Sequence, residues 1–123
     1  MKRSNYYWIY ILECENGCYY TGYTENLFRR YLQHINGSAK AKYTRSFKPT
    51  RIAQCWKLYD TKGIALRIEH FIKSLDRKVK DIIVDDPERL KYYVLDKLTL
   101  DIEIFPYNPE LVESELLNLY TCD

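Results

Sequence analysis

Five side chains in the first 70 residues have the types that phosphodiester cleavage requires: Tyr10, Tyr20, Arg30, His34 and Glu69. Arginine can bind an anionic phosphate through paired hydrogen bonds and offset charge gained in the transition state. Histidine transfers protons near neutral pH, and glutamate can hold a hard divalent cation that keeps most of its waters. A tyrosine acts as a base at pH 7 only if its pKa falls from about 10. We interpret these residues as one candidate site for cutting a phosphodiester.

The spacing of these residues supports their assembly. Arg30 and His34 are four residues apart in a segment with helical periodicity, so a helix would project both at the margin of its apolar face. Glu69 lies about 100° from the centre of the apolar stripe of a second predicted helix. At that shoulder position a carboxylate reaches a cleft without entering the core.

Periodicity and turn residues predict the elements that would carry the site. Residues 6–23 should form two antiparallel strands joined at Asn16-Gly17. The segments that follow are predicted as a helix in “ENLFRRYLQHI” with Thr24 as its N-cap, a strand at 52–59, and helices at 63–75 and 76–84. The expected fold class is α/β of the α+β type, with a small three-stranded antiparallel sheet flanked by helices.

The register of the first turn decides whether the two tyrosines share a site. A two-residue turn would place Tyr10 and Tyr20 on opposite faces of the sheet. A three-residue loop at 15–17, with Gly17 in the left-handed conformation, places both phenols on one face. We predict the second arrangement, or another loop of the same parity. Tyr6, Tyr7 and Tyr19 are interpreted as packing residues.

Composition indicates one soluble domain. The chain has 123 residues, of which 46% are apolar and 29% charged. No apolar run approaches the ~18 residues of a membrane span, and the N-terminus has no signal-peptide pattern, so we expect a cytoplasmic protein without membrane contact. Without a secretory signal, the four cysteines are predicted to be reduced thiols. A zinc site that combined Cys14 and Cys18 with His34 and His70 would fit no standard spacing, so we interpret the thiols as packing residues.

The charge is divided unevenly along the chain. Residues 1–85 carry 16 Lys and Arg against 8 Asp and Glu, whereas residues 86–123 carry 3 against 9. We predict a domain at 1–85 and an acidic C-terminal extension at 86–123, with a helix from Pro87 to about Lys97, a strand in “LTLDIEIF” and a short helix from Glu110. The extension would pack on the sheet edge, screen the basic body, or contact a protein partner or a second copy in a homodimer.

A basic segment follows the first predicted helix. The stretch “GSAKAKYTRSFKPTR” has no apolar period and is predicted to be a surface loop. It could be a solvated linker, but a basic loop also attracts phosphate. The candidate nucleic-acid-binding residues are Arg29, Lys40, Lys42, Arg45 and Lys48.

Several motifs together resemble one enzyme family. They are “WIY”, then “YTG” ten residues on, then Arg30 and His34, a “KYTR” stretch, and a helix with “ALRIEHFIKSL”. Over about residues 6–84 the chain resembles the GIY-YIG nuclease superfamily, and in particular its small single-domain bacterial members. The resemblance implies an endonuclease that hydrolyses DNA with one divalent cation, Mg²⁺ or Mn²⁺, in DNA repair or recombination.

The resemblance also implies roles for individual residues. Tyr10 corresponds to the GIY tyrosine, Tyr20 to the YIG tyrosine, Arg30 to the catalytic arginine and Glu69 to the metal-binding carboxylate. His34 stands where other members place a histidine or a tyrosine. Which tyrosine is the general base stays open.

Two other functions remain in competition with the nuclease. The chain could be a non-catalytic nucleic-acid-binding module, or a subunit that positions another nuclease. A binding module needs arginine and lysine but has no need of Glu69. Glu69 could instead be one partner of an i,i+4 ion pair with Lys73.

Overall fold

The computed structural model describes residues 3–37, 44 and 46–121. Within these ranges, no helix is both long and apolar enough to cross a membrane. The described elements, in chain order, are β1 (Ser4–Cys14), β2 (Tyr19–Thr24), α1 (Leu27–Asn36), β3 (Pro49–Thr61), α2 (Lys62–Ser74), α3 (Arg77–Asp85), α4 (Arg89–Leu98), β4 (Glu103–Tyr107) and α5 (Pro109–Thr121).

The sheet has four antiparallel strands in the order β2-β1-β3-β4, so the prediction of three strands is wrong. The fourth strand comes from the C-terminal extension and pairs with β3, with Ile104 opposite Leu58. Both of these side chains are buried. The alternating pattern of this segment predicted a strand, but a local pattern does not identify the partner strand.

The hairpin of β1 and β2 has the predicted register. Gly17 adopts a left-handed conformation with φ 80°, and its N–H donates to the carbonyl of Cys14 over 2.8 Å. The three-residue loop places Tyr10 opposite Gly22 and Leu12 opposite Tyr20. Because side chains alternate along a strand, Tyr10 and Tyr20 lie on the same face of the sheet. This prediction is confirmed.

Different helices cover the two faces of the sheet. Helices α2, α3 and α4 enclose one core against the odd-numbered residues of β1, with Ile9, Trp56 and Ile68 at its centre. Helices α1 and α5 pack on the opposite face, where Leu12 and Leu27 are fully buried. The even-numbered residues of β1, including Tyr10, belong to this second face.

Local contacts at the start of α1 correct one expectation. Asn26, and not Thr24, caps α1, because the Asn26 side chain accepts a hydrogen bond from the Arg29 N–H over 3.1 Å. The Thr24 hydroxyl instead accepts from the N–H of Asn26. Gly37 ends α1 in a left-handed conformation with φ 66°.

The three tyrosines interpreted as packing residues differ in environment. Tyr7 is buried, and the half-buried ring of Tyr19 lies 3.6 Å from the guanidinium carbon of Arg77. Tyr6 is 56% exposed, so the packing interpretation is wrong for it. Tyr6 lies near the open end of the sheet, where its ring contacts Tyr59 at a centroid distance of 4.8 Å.

The C-terminal extension is tied to the sheet by hydrogen bonds. The indole N–H of Trp56 donates to the carbonyl of Pro87 over 2.9 Å. The Ile52 N–H donates to the carboxylate of Glu113 on α5 over 2.8 Å. The division of the chain at residue 85, and a screening role for the extension, stay predictions.

The cysteines of the described part are unpaired. Cys14, Cys18 and Cys55 are free thiols, as predicted for a chain without disulfides. Burial, followed by the charge of Glu113, raises the pKa of Cys55 to about 12. This thiol is therefore protonated and acts as a packing residue at neutral pH.

Candidate active site

Tyr10 lies at the centre of the site, on β1, with 1% of its side chain exposed. Its ring passes directly over Gly22 on the neighbouring strand β2. A Cβ atom at position 22 would meet Cζ of the Tyr10 ring at 2.6 Å and would lie closer still to the hydroxyl oxygen. The last residue of “YTG” is therefore a glycine because only a glycine leaves room for the phenol.

His34 on α1 contacts two hydroxyl groups, those of Tyr10 and Thr44. Its Nε2 lies 2.9 Å from the Tyr10 hydroxyl, and its Nδ1 lies 2.8 Å from the Thr44 hydroxyl. His34 and Thr44 are both fully buried. The ring of Tyr20 lies 5.0 Å from the imidazole and 6.4 Å from the Tyr10 ring. The structure thus brings Tyr10, Tyr20 and His34 together, as predicted from their spacing.

Thr44 is a site residue that the sequence did not reveal. It belongs to the “KYTR” stretch, which was interpreted only as a basic surface loop. Its hydroxyl contacts the imidazole nitrogen that does not face Tyr10. A partner of this kind fixes the orientation and the tautomer of a histidine. The only signal in the sequence was its place within the family-like stretch.

Burial determines the protonation states of His34 and Tyr10. Burial, and then the charge of Arg30, lowers the pKa of His34 to about 4, so the imidazole is neutral at pH 7. Burial, followed by the charge of Tyr20, raises the pKa of Tyr10 well above its ordinary value, although Arg30 opposes this shift. The phenol is therefore protonated and can donate to the imidazole.

Arg30 lies beside both phenols, one helical turn before His34. Burial alone would lower the pKa of Arg30, but interactions with Tyr10 and then Tyr20 outweigh it and raise the pKa. Its guanidinium also donates to the Gln33 side chain over 2.9 Å. These contacts fix the positive charge of Arg30 beside the two tyrosines. This residue borders a polar surface depression lined by Thr24, Glu25, Asn26, Arg29, Arg30 and Gln33.

Glu69 approaches the site from α2, the helix that packs on the opposite face of the sheet. It is buried, with 7% of the residue exposed. Its charge contributes to the raised pKa of Tyr10, as the smallest of the causes. Its carboxylate also forms an ion pair with Lys73, whose Nζ lies 3.0 Å from Oε1 of Glu69. The i,i+4 ion pair considered from the sequence is therefore present.

The donor set around Glu69 suits one kind of cation. Among residues 3–37, 44 and 46–121, no three His, Cys, Asp or Glu side chains come together as a metal site. A cation here would have Glu69 as its protein carboxylate and would take other ligands from water and substrate phosphate. That arrangement fits Mg²⁺ or Mn²⁺, which accept one carboxylate and keep several waters.

The predicted nucleic-acid-binding residues are only partly placed. Arg29 is exposed on the first turn of α1, beside Arg30. Lys48 is exposed just before β3, and its carbonyl accepts a hydrogen bond from the N–H of Glu15 in the hairpin turn. Lys40, Lys42 and Arg45 lie outside the described residues.

Known proteins from bacteria and archaea are similar to this chain. A UPF0213 protein from Halalkalibacterium halodurans is 41% identical over 78 residues, which are 63% of this chain and 81% of that protein. A UPF0213 protein from Haloquadratum walsbyi is 37% identical over 83 residues, 68% of this chain and 91% of that protein. The solution NMR structure of a UPF0213 protein from Bacillus halodurans has 37% sequence identity, covers 70% of this chain and 93% of that chain, and gives a TM-score of 0.43.

A family model identifies the part of the chain that holds the site. The model of the GIY-YIG catalytic domain matches residues 6–81. This range contains all five residues of the predicted catalytic set. The two UPF0213 relatives match over more than four fifths of their own length. The chain therefore belongs to the GIY-YIG family.

Proposed function

We propose that this protein is a divalent-cation-dependent endonuclease that hydrolyses phosphodiester bonds in DNA. The observation that supports this most strongly is the buried hydrogen bond between Tyr10 and His34, 2.9 Å long, beside Arg30. A protein that only binds DNA needs surface cations, whereas proton transfer needs two titratable groups within hydrogen-bond distance, as Tyr10 and His34 are.

Arg30 has the role of binding the scissile phosphate in this proposal. Its planar guanidinium can donate two parallel hydrogen bonds to phosphate oxygens and offset the charge gained in the transition state. The contacts of Arg30 with the two phenols limit its rotamers, so little side-chain entropy is lost on binding. Arg29 extends the cationic surface along the same turn of α1.

Tyr10 and His34 have the role of moving a proton. The Tyr10 hydroxyl faces Nε2 of a neutral imidazole. As the phenol oxygen accepts a proton from the attacking water, its own proton can pass to Nε2. Tyr20, whose ring lies 6.4 Å from that of Tyr10, lines the position of the phosphate. Tyr10 is therefore our choice of general base.

Glu69 is the residue that would hold the divalent cation. When bound, the cation would offset the negative charge of the phosphate. Glu69 is buried near Tyr10, where a carboxylate interacts more strongly with a cation than at the exposed surface. Lys73 contacts one of the two oxygens of this carboxylate, Oε1, over 3.0 Å.

One observation favours the second candidate, a non-catalytic DNA-binding module. The Lys73–Glu69 ion pair gives the carboxylate a structural role that requires no metal. Under that interpretation the substitution of Glu69 should change stability alone. A role in DNA repair, a cytoplasmic location, and a protein partner or homodimer contact through residues 86–123 stay predictions.

The Glu69→Gln variant separates the two functions. It keeps the shape of the side chain and removes its charge, so we expect unchanged or slightly tighter DNA binding and cleavage slower by orders of magnitude. Glu13→Gln is the matched control, because Glu13 is an ion-paired carboxylate bonded to Arg51 over 2.9 Å. This control should cleave like the parent. A Glu69→Gln variant that changes in stability but cleaves like the parent would establish the ion pair as the whole role of Glu69.

A further inference from the structure

The face of the sheet that carries Tyr10 continues into a group of exposed aromatic rings. We name this group the aromatic platform and define it by Tyr6, Tyr59, Phe105 and Lys57. Tyr6 is 56% exposed, Tyr59 42% and Phe105 60%. Tyr6 lies opposite Tyr59 and Lys57 opposite Phe105, so all four side chains project from one face.

The aromatic platform lies on the same face of the sheet as Tyr10 of the candidate active site. Trp8 lies between Tyr6 and Tyr10 on β1 and pairs with Lys57 of the platform. Two residues of a strand span about 6.6 Å, so the Tyr6 row lies roughly 13 Å from the Tyr10 row. Helices α1 and α5 pack on the other end of this face, around Leu12. The open rings therefore share the face of the site, with the buried Trp8 between them and Tyr10.

The charge of the platform suits a phosphate-bearing ligand. The Lys57 ammonium lies 5.1 Å from the centroid of the Tyr6 ring and 5.3 Å from that of Trp8. A cation among exposed rings matches a strand that alternates bases and phosphates. Glu103, opposite Tyr59, is exposed and would keep phosphates on the Lys57 side. A double helix hides the faces of its bases, so only unpaired bases can use these rings.

We propose that the aromatic platform binds the unpaired bases of single-stranded DNA by stacking, with Lys57 contacting a phosphate. This inference rests on the proposed function, because it assigns a substrate feature to the same site. A strand lying on the platform leads along the sheet face to Tyr10. Cleavage is thereby directed to DNA with a single-stranded segment beside the scissile bond.

Binding in EDTA tests the platform without cleavage. The probe is a fluorescein-labelled oligodeoxythymidine of about ten nucleotides, compared by anisotropy with an abasic strand of the same length and charge. We expect the parent to prefer the strand with bases. In Tyr6→Thr/Tyr59→Thr the affinity for the thymidine strand should fall by between about fivefold and a hundredfold. The abasic strand should bind unchanged.

Two further variants keep the test decisive. Tyr92 is 70% exposed on α4, on the opposite side of the sheet, so Tyr92→Ala is a matched control that should bind both strands like the parent. Phe105→Thr is the second platform variant if the double variant does not fold, and it should also lose base-dependent binding. Threonine removes the ring and keeps a residue suited to strands.

The possible results separate this inference from the proposed function. Base-dependent binding that the platform variants lose supports the platform, even if the parent cleaves no DNA. A parent that cleaves DNA but binds thymidine and abasic strands equally overturns the platform alone. Sedimentation that shows a dimer in the parent, and a monomer in Tyr6→Thr/Tyr59→Thr, would instead assign these rings to self-association and overturn the inference.

Discussion

Substitution of Gly22 by alanine tests how the site is built. The new Cβ would meet Cζ of Tyr10 at 2.6 Å, whereas ordinary contacts begin at 3.4 Å. The ring must therefore retreat by nearly an ångström, and its 2.9 Å hydrogen bond to His34 would break. We expect a loss of stability of about 1–3 kcal/mol from overpacking. Cleavage should fall by about a hundredfold, since misplacement of this size has that effect.

A double-mutant cycle assigns this cost to the tyrosine ring. Leucine at position 10 has no atoms where Cζ and the hydroxyl lie, so Gly22→Ala should cost little in the Tyr10→Leu background. The difference between the two backgrounds gives the coupling free energy, measured by urea denaturation. Gly17→Ala is the control. Gly17→Ala should lower the free energy of unfolding by about 1–2 kcal/mol because of the left-handed backbone, since nothing lies within 4 Å of the new Cβ position. This loss should be equal in the Tyr10 and Tyr10→Leu backgrounds. An equal cost of Gly22→Ala in both backgrounds would refute the close packing of Tyr10 on Gly22.

Three further variants probe the proton pair and the C-terminal extension. Tyr10→Phe should lower stability by about 1–2 kcal/mol in thermal or urea unfolding, because it leaves a buried imidazole nitrogen without its partner. It should also abolish cleavage. If this variant cleaves DNA at the rate of the parent, Tyr10 is not the general base. The free energy of unfolding should decrease as the pH falls from 6.5 towards 4. In that range His34 binds a proton in the unfolded chain but not in the folded protein, where its pKa is lowered to about 4. His34→Gln should lack this part of the pH dependence, and a pH dependence identical to that of the parent would contradict the buried neutral imidazole. Deletion of residues 86–123 should give a chain without cooperative unfolding by circular dichroism, because Leu90, Val94, Ile102 and Ile104 are buried in the core; a folded fragment would show that the extension is dispensable.

Much of the geometry of the candidate site follows from local constraints on its residues. The ten-residue spacings and the parity of the turn placed Tyr10 and Tyr20 on one face, and the helical spacing placed Arg30 and His34 on one side of α1. Thr44 was not identified, because its contact with His34 is a tertiary contact made by a residue in a stretch without apolar period. No periodicity predicts such a contact.

Several features of the fold depend on tertiary contacts that the sequence pattern does not show. The alternating residues of the extension indicated a strand, but its pairing with β3 depends on tertiary contacts such as that of Ile104 with Leu58. Asn26 replaced Thr24 as the N-cap because both residue types accept hydrogen bonds from helix N–H groups, and only the entry angle of the chain decides between them. The exposure of Tyr6 likewise depends on which end of the sheet the helices cover.

Cleavage by the purified chain tests the central claim most directly. The assay compares duplex, single-stranded and branched DNA, each labelled at one end, with Mg²⁺, with Mn²⁺ and with EDTA. Arg30→Ala, purified in the same way, is the control for contaminating nucleases, and it should not cleave. We expect divalent-dependent cutting by the parent on at least one DNA, and none in EDTA. No divalent-dependent cutting on any of these DNAs, or equal cutting by Arg30→Ala, would contradict the nuclease function.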